Sequence, residues 1–137
     1  MKKYFHIVYT ILALNFFIPV ISYAVDPSQM VTQFIGISEF FGVTGYPHSE
    51  DSVLWRVLAI ANVTTLGFLC VLLQVNLKKW YLCLVPLVFL KGMASLGFLV
   101  AYIIEPYPSY LAACLFDALT VGLMWFFASR AYREISS

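Results

Sequence analysis

Residues 81–104 read YLCLVPLVFLKGMASLGFLVAYII, 24 residues in which Lys91 is the only charge. At about 1.5 Å of rise per residue, such a run crosses the ~30 Å hydrocarbon core of a bilayer as a helix. An ionisable group at that depth costs about 2.5–3.5 kcal/mol on insertion scales, so it needs a partner or a task. The next apolar run supplies the partner. Residues 110–128 read YLAACLFDALTVGLMWFFA, 19 residues with Asp117 as their only charge. Two membrane-length runs, each broken by one charge of opposite sign, decide the fold class: a small multi-pass helical membrane protein with a buried polar layer.

Working outward, two further runs are long enough to span, Tyr4–Ala24 and Val53–Leu77. The composition agrees with them. Of 137 residues, 62% are hydrophobic and 11% charged, against roughly 25% charged in soluble domains. A soluble domain of this size would expose extended apolar patches and aggregate, so one integral-membrane domain over residues 1–137 is expected. The net charge of +1 and the lack of a basic stripe exclude nucleic acid as a partner. Cys70, Cys83 and Cys114 form no C-x-x-C pair and read as small buried side chains. With only His6 and His48, paired haem ligands are lacking, and neither a metal site nor another cofactor is expected. No Ser–His–Asp set or glycine-rich phosphate loop is present, so no catalytic residue is assigned.

Positive charge sorts the connections. Lys2 and Lys3 precede the first span, Lys78 and Lys79 join the second to the third, and Arg130 and Arg133 follow the fourth. The opposite connections carry Asp26, Glu39, Glu50, Asp51 and Glu105. The positive-inside rule then places both termini in the cytoplasm and residues 25–52 outside. Trp55, Trp80, Tyr81, Tyr107, Tyr110 and Tyr132 fall where an aromatic belt belongs. The short connections at Asn76–Trp80 and Glu105–Ser109, the latter with two prolines, make the second, third and fourth spans sequential antiparallel neighbours. The expected fold is therefore all-α: four antiparallel transmembrane helices and a short extracytoplasmic interfacial helix. One alternative concerns the first span. Lys2-Lys3, an apolar stretch and Ser22-Tyr23-Ala24 also fit a cleaved signal peptide, whereas the length of the stretch and the central Asn15 favour a retained helix.

The interfacial helix is read from Met30, Phe34, Ile37 and Phe41, an i, i+4, i+7, i+11 stripe, with Asp26-Pro27-Ser28 as its start. Gly42–Ser49 reads as a turn broken by Gly45 and Pro47. The helix serves as a cap on the bundle, a lid or a docking surface.

Counting from the cytoplasmic ends, Lys91, Asp117 and Asn15 lie about 15–16 Å deep, Thr65 about 18 Å and Asn62 about 22 Å. All four spans thus place a polar residue near one level. Lys91, Ala94, Ser95, Phe98 and Tyr102 share one face of the third span. Ala113, Asp117, Thr120 and Met124 share one face of the fourth, and Ala59, Asn62, Val63 and Gly67 one face of the second. Lys91 is too deep to snorkel, because its stem reaches only about 6 Å, and a Lys91–Asp117 contact is the simplest solution. Such a pair fixes helix register, couples a proton or ion, or anchors a partner subunit, a lipid headgroup or a quinone-like ligand. Arg56, at the outer end of the second span, reads as an interface charge near Glu50 and Asp51, with anion binding as the sharper alternative. His48 reads as a solvated loop histidine.

Trp55-Arg56, Lys91 with Ser95, and Asp117, set in this span layout over about residues 50–130, resemble small bacterial membrane proteins of the DoxX-like kind. The resemblance implies an accessory subunit or maturation factor, some relatives serving respiratory and sulfur redox chemistry. The first span departs from their usual opening, so no functional residue is carried over. The functional expectation is a non-enzymatic accessory or assembly subunit of a larger membrane complex in a bacterial inner (cytoplasmic) membrane, touching lipid and a protein partner. The alternative is a small transporter or ligand-binding protein using the Lys91–Asp117 layer.

Overall fold

The computed structural model describes residues 2–44 and 53–137, and every regular element among them is helical. In chain order these are α1 (Lys2–Val25), α2 (Pro27–Phe40), α3 (Val53–Val75), α4 (Leu77–Trp80), a 3₁₀ turn (Tyr81–Cys83), α5 (Leu84–Ile104) and α6 (Pro108–Ser136). Four stretches are long and apolar enough to cross a membrane: α1, α3 over Val57–Val75, α4 through α5 over Leu77–Ile104, and α6. The fold is all-helical among the described residues, with four helices of membrane-spanning length and apolarity.

Local chemistry sets the breaks. Asp26 precedes Pro27, whose ring disfavours helical geometry in the residue before it, and Asp26 adopts φ −142° and ψ 86°. Its carboxylate then caps α2, accepting from the Ser28 N–H at 3.2 Å and from the Ser28 hydroxyl. The hydroxyl contact, more than any other, holds the Asp26 carboxyl below the usual carboxylate range. At its other end α2 closes with a Schellman pattern. The Val43 N–H donates to the Ser38 carbonyl, and the Gly42 N–H to that of Glu39, at 3.0 and 2.9 Å. That closure needs a left-handed residue, which Gly42 supplies with φ +81°. Asn76 interrupts the chain after α3 and caps α4, accepting from the Lys79 N–H at 3.0 Å. Glu105, extended before Pro106, ends α5, and Pro108 opens α6 at the position where a missing N–H costs least.

Lipid tails offer helices no hydrophobic reason to associate, so close packing and hydrogen bonds hold the bundle. α1 packs most extensively along α3, α5 along α6, and α1 against α6 joins the two pairs. Phe5, Tyr9, Phe16, Leu66, Cys70, Leu73, Leu87, Met124 and Ala128 make up most of the shared core. Tyr9, fully buried, donates to the Met124 carbonyl at 2.9 Å, and Thr10 donates to Gln74 at 2.9 Å. Gly67 lets α1 approach α3: a Cβ there would sit 2.8 Å from the Phe17 ring. At one end Tyr81 stacks on Tyr132 with centroids 3.9 Å apart, and its hydroxyl reaches Ser129 at 3.3 Å. Along the 3₁₀ turn and α5 on one side and α6 on the other, partners succeed one another in opposite order: Tyr81 with Ser129, Lys91 with Asp117, Ser95 with Cys114. Large apolar side chains such as Ile11, Phe89, Leu115 and Leu119 turn outward, as a lipid-facing surface requires.

Several boundaries differ from the sequence expectation. α3 stops at Val75 rather than Leu77, because Asn76 redirects the chain into α4. α6 runs to Ser136, eight residues past the apolar run, because Ala131 and Ile135 continue to pack after hydropathy has fallen. The second and third spans, expected as close neighbours, meet at few positions; α4 and the 3₁₀ turn widen the connection, and α3 rests mainly on α1. The expected turn residues Gly45 and Pro47, together with His48, Glu50 and Asp51, lie outside the described residues.

Candidate functional site

The Lys91 ammonium donates to the Asp117 carboxylate at 2.7 Å, joining α5 to α6. Their side chains are 14% and 7% exposed, so both charges are largely withdrawn from solvent. At such burial a separation of 2.7 Å is a charge-assisted hydrogen bond as well as an ion pair. The Phe16 ring of α1 lies 5.2 Å from the ammonium and offers it the face of a π system. A third helix therefore touches the pair. One turn further along α5, Ser95 donates to the Cys114 carbonyl at 2.9 Å, with the Cys114 sulfur at 3.4 Å. One turn along α6, the buried Thr120 returns its hydroxyl to the Phe116 carbonyl at 2.9 Å.

Beyond Ser95 the seam closes with aromatic rings. Phe34 of α2 lies 6.4 Å from Phe98, 6.1 Å from Tyr107 and 5.7 Å from Tyr110, and Phe98 lies 6.4 Å from Tyr110. These spacings are those of packed aromatic clusters. α2 thus covers the end of the α5–α6 seam.

The residues expected in one polar layer fall into three groups. Lys91, Asp117 and Ser95 meet across the α5–α6 seam. Asn15 is half-buried on α1, about one turn after the buried Leu12, and makes no side-chain hydrogen bond among the described residues. Asn62 and Thr65 are exposed, and no hydrogen bond among the described residues joins them to the Lys91–Asp117 pair. α3 buries Leu66, Gly67, Cys70 and Leu73, all nearer its other end. Asn62 lies a turn before that contact begins, while Thr65 is about 100° around the helix from Leu66. Thr65 satisfies its own hydroxyl on the Ala61 carbonyl at 2.8 Å. Arg56 falls within α3, and its side chain, like that of Trp55, lies outside the described residues.

The apolar stripe expected on α2 also divides. Phe34 faces the bundle, whereas Ile37 and Phe41 are 40% and 65% exposed; the side chain of Met30 lies outside the described residues. The inward position one turn after Phe34 belongs to Ser38, which is fully buried. Sequence reasoning passed over this residue and its partner, Ser109. The Ser109 N–H, in the first turn of α6, donates to the Ser38 oxygen at 3.1 Å. The Ser109 hydroxyl donates to the Phe34 carbonyl. That leaves the Ser38 hydroxyl to donate to the Ser109 oxygen, 2.6 Å away. Tyr107, the N-cap of α6, makes no capping side-chain bond, so Ser38 caps the helix from a different element. The available signal was a serine four residues after Phe34, on a helix otherwise read for apolar periodicity alone.

Chemically the site holds one acid and one base that neutralise each other, flanked by hydroxyls already bonded to backbone carbonyls. Among the described residues no three His, Cys, Asp or Glu side chains converge as metal ligands would. Comparison with protein-family models, curated proteins and solved structures finds no match to this chain.

Proposed function

We propose that this chain is a non-enzymatic accessory or assembly subunit of a larger membrane complex, set in a bacterial inner membrane as four antiparallel spans with both termini cytoplasmic. The observation that carries the reading is the outer surface of α5. Two open apolar grooves lie along it, one of about 450 Å³ beside Gly92, Ser95 and Ala118, the other of about 400 Å³ beside Ala94, Gly97 and Ala101. A Cβ added at Gly92 or Gly97 would meet nothing within 4 Å. In lipid, small residues on a helix surface let a second helix approach closely. The charges, by contrast, face inward and are used on each other and on Phe16, which suits a register-fixing lock better than a substrate path.

The opposite succession of partners along α5 and α6 supports the antiparallel arrangement. Thr10 with Gln74 and Phe17 with Gly67 support it for α1 and α3. The orientation rests on the Lys and Arg distribution, and the contacts of Phe34 and Ser38 support α2 as a cap on the outer face. The DoxX-like resemblance points to the same accessory class. A small transporter is the second reading, favoured by the ion pair at membrane depth.

The test is purification of tagged protein from its native host in mild detergent, beside Gly92→Leu and Gly97→Leu variants. A stoichiometric membrane partner is expected with the wild type and lost from at least one variant, while both variants keep the wild-type unfolding temperature. A partner-free oligomer that moves protons or a solute into liposomes would instead establish the transporter.

A further inference from the structure

We infer that the end of the bundle where α1 begins and α6 finishes holds a binding site for the phosphate headgroup of an anionic lipid. A cavity of about 230 Å³ opens there between the first turns of α1, the α3–α4 junction and the last turns of α6. Lys2, His6 and Lys78 stand on its rim, all exposed. Phe5, Leu77 and Ala131, all buried, form its floor. This volume is below the roughly 300–1,000 Å³ of a site for a drug-sized ligand, which points to a headgroup-sized guest.

Charge decides its sign. Of eight Lys and Arg in the chain, six lie at this end: Lys2, Lys3, Lys78, Lys79, Arg130 and Arg133. Among the described residues, Glu134 is the only Asp or Glu that joins them. Basic residues at a membrane surface attract anionic headgroups, and a basic pocket between spans is the form that holds one in place. The apolar floor decides between a lipid and a free anion. Inorganic phosphate gains nothing from Phe5, Leu77 and Ala131 and would surrender hydration beside them. A phosphodiester carries glycerol and acyl carbons that this floor can cover while its phosphate oxygens meet the two ammonium groups.

The experiment titrates the detergent-purified full chain with dioleoyl-phosphatidylglycerol and, separately, with dioleoyl-phosphatidylcholine, counting adducts by native mass spectrometry. The first phosphatidylglycerol adduct is expected to form in clear preference to phosphatidylcholine. Lys2→Gln/Lys78→Gln should weaken that adduct roughly fivefold per lysine, the ratio matching one basic side chain beside an anionic leaflet. Arg130→Gln/Arg133→Gln removes equal charge from the same end but outside the cavity, and should leave the adduct unchanged. All four side chains are exposed, so both variants should keep the wild-type unfolding temperature. Lys78→Glu, a second variant, should abolish the adduct in folded protein. Equal losses in the two double variants, or equal binding of the two lipids, would overturn the site as diffuse surface attraction. Displacement of the lipid by millimolar inorganic phosphate would overturn the lipid assignment in favour of a free anion.

Discussion

Lys91 and Asp117 show how far one residue can be read alone. Each is the only charge in an apolar run, and a charge at that depth has few solutions, so their meeting across α5 and α6 was legible before any coordinates. Thr65, a neutral polar residue, carries a weaker signal for a related physical reason. A hydroxyl within a helix can return to the carbonyl four residues back, as Thr65 does to Ala61, so polarity does not by itself mark the inward face. Only a full charge, which has no such local remedy, gives a dependable signal. The pair therefore carries a sharp prediction. Lys91→Met or Asp117→Leu alone leaves a buried charge uncompensated and should cost roughly 3–5 kcal/mol. The double variant, which leaves neither charge, should recover most of that loss. Unfolding temperature and monodisperse yield in detergent read this out, and additive losses would show that the two residues act independently.

At the scale of elements, boundaries written in proline, glycine and capping chemistry were legible, and orientations were not. Asp26-Pro27 announced the start of α2, and Gly42 closes it. Which face α2 turns to the bundle could not be read from apolar spacing, because its large apolar side chains fall on both its covered and its exposed sides. Phe40 and Phe41, 85% and 65% exposed, stay outside, while a serine takes the inward position. Ser38 holds that position because α6 presents an uncapped first turn. Ser38→Ala should leave the Ser109 N–H unsatisfied, a loss of about 1–3 kcal/mol for a buried donor. The expected result is faster amide exchange across α2 and the first turn of α6, with no change around Lys91 and Asp117. Unaltered exchange in α2 would mean that the Phe34 aromatic contacts alone fix the helix.

For the whole molecule, hydropathy located four helices of membrane-spanning length but did not say how they pair. Short connections suggested that the second span would lie against the third; instead α3 leans on α1, whose attachment depends on side-chain size rather than loop length. Gly67 beneath the Phe17 ring, Tyr9 on the Met124 carbonyl and Thr10 on Gln74 are the contacts concerned. They bear directly on whether residues 1–24 stay with the protein. α1 contributes Phe5, Tyr9, Leu12, Ala13 and Phe16 to the core, and Phe16 also lies against the Lys91 ammonium. Its removal would bare Leu66, Cys70 and Leu73 of α3, take away the chief partner of that helix, and strip one wall from the ion pair. The mature protein is therefore expected to have an intact mass that includes residues 1–24. A chain beginning at Asp26, exported behind an unrelated cleavable signal so that the remaining spans keep their orientation, should give far less folded protein than the full chain. Co-expressing residues 1–25 as a separate span should restore part of that yield through the α1–α3 contact. A mature mass lacking residues 1–24, or a truncated chain as stable as the full one, would show that the bundle is complete with three spans.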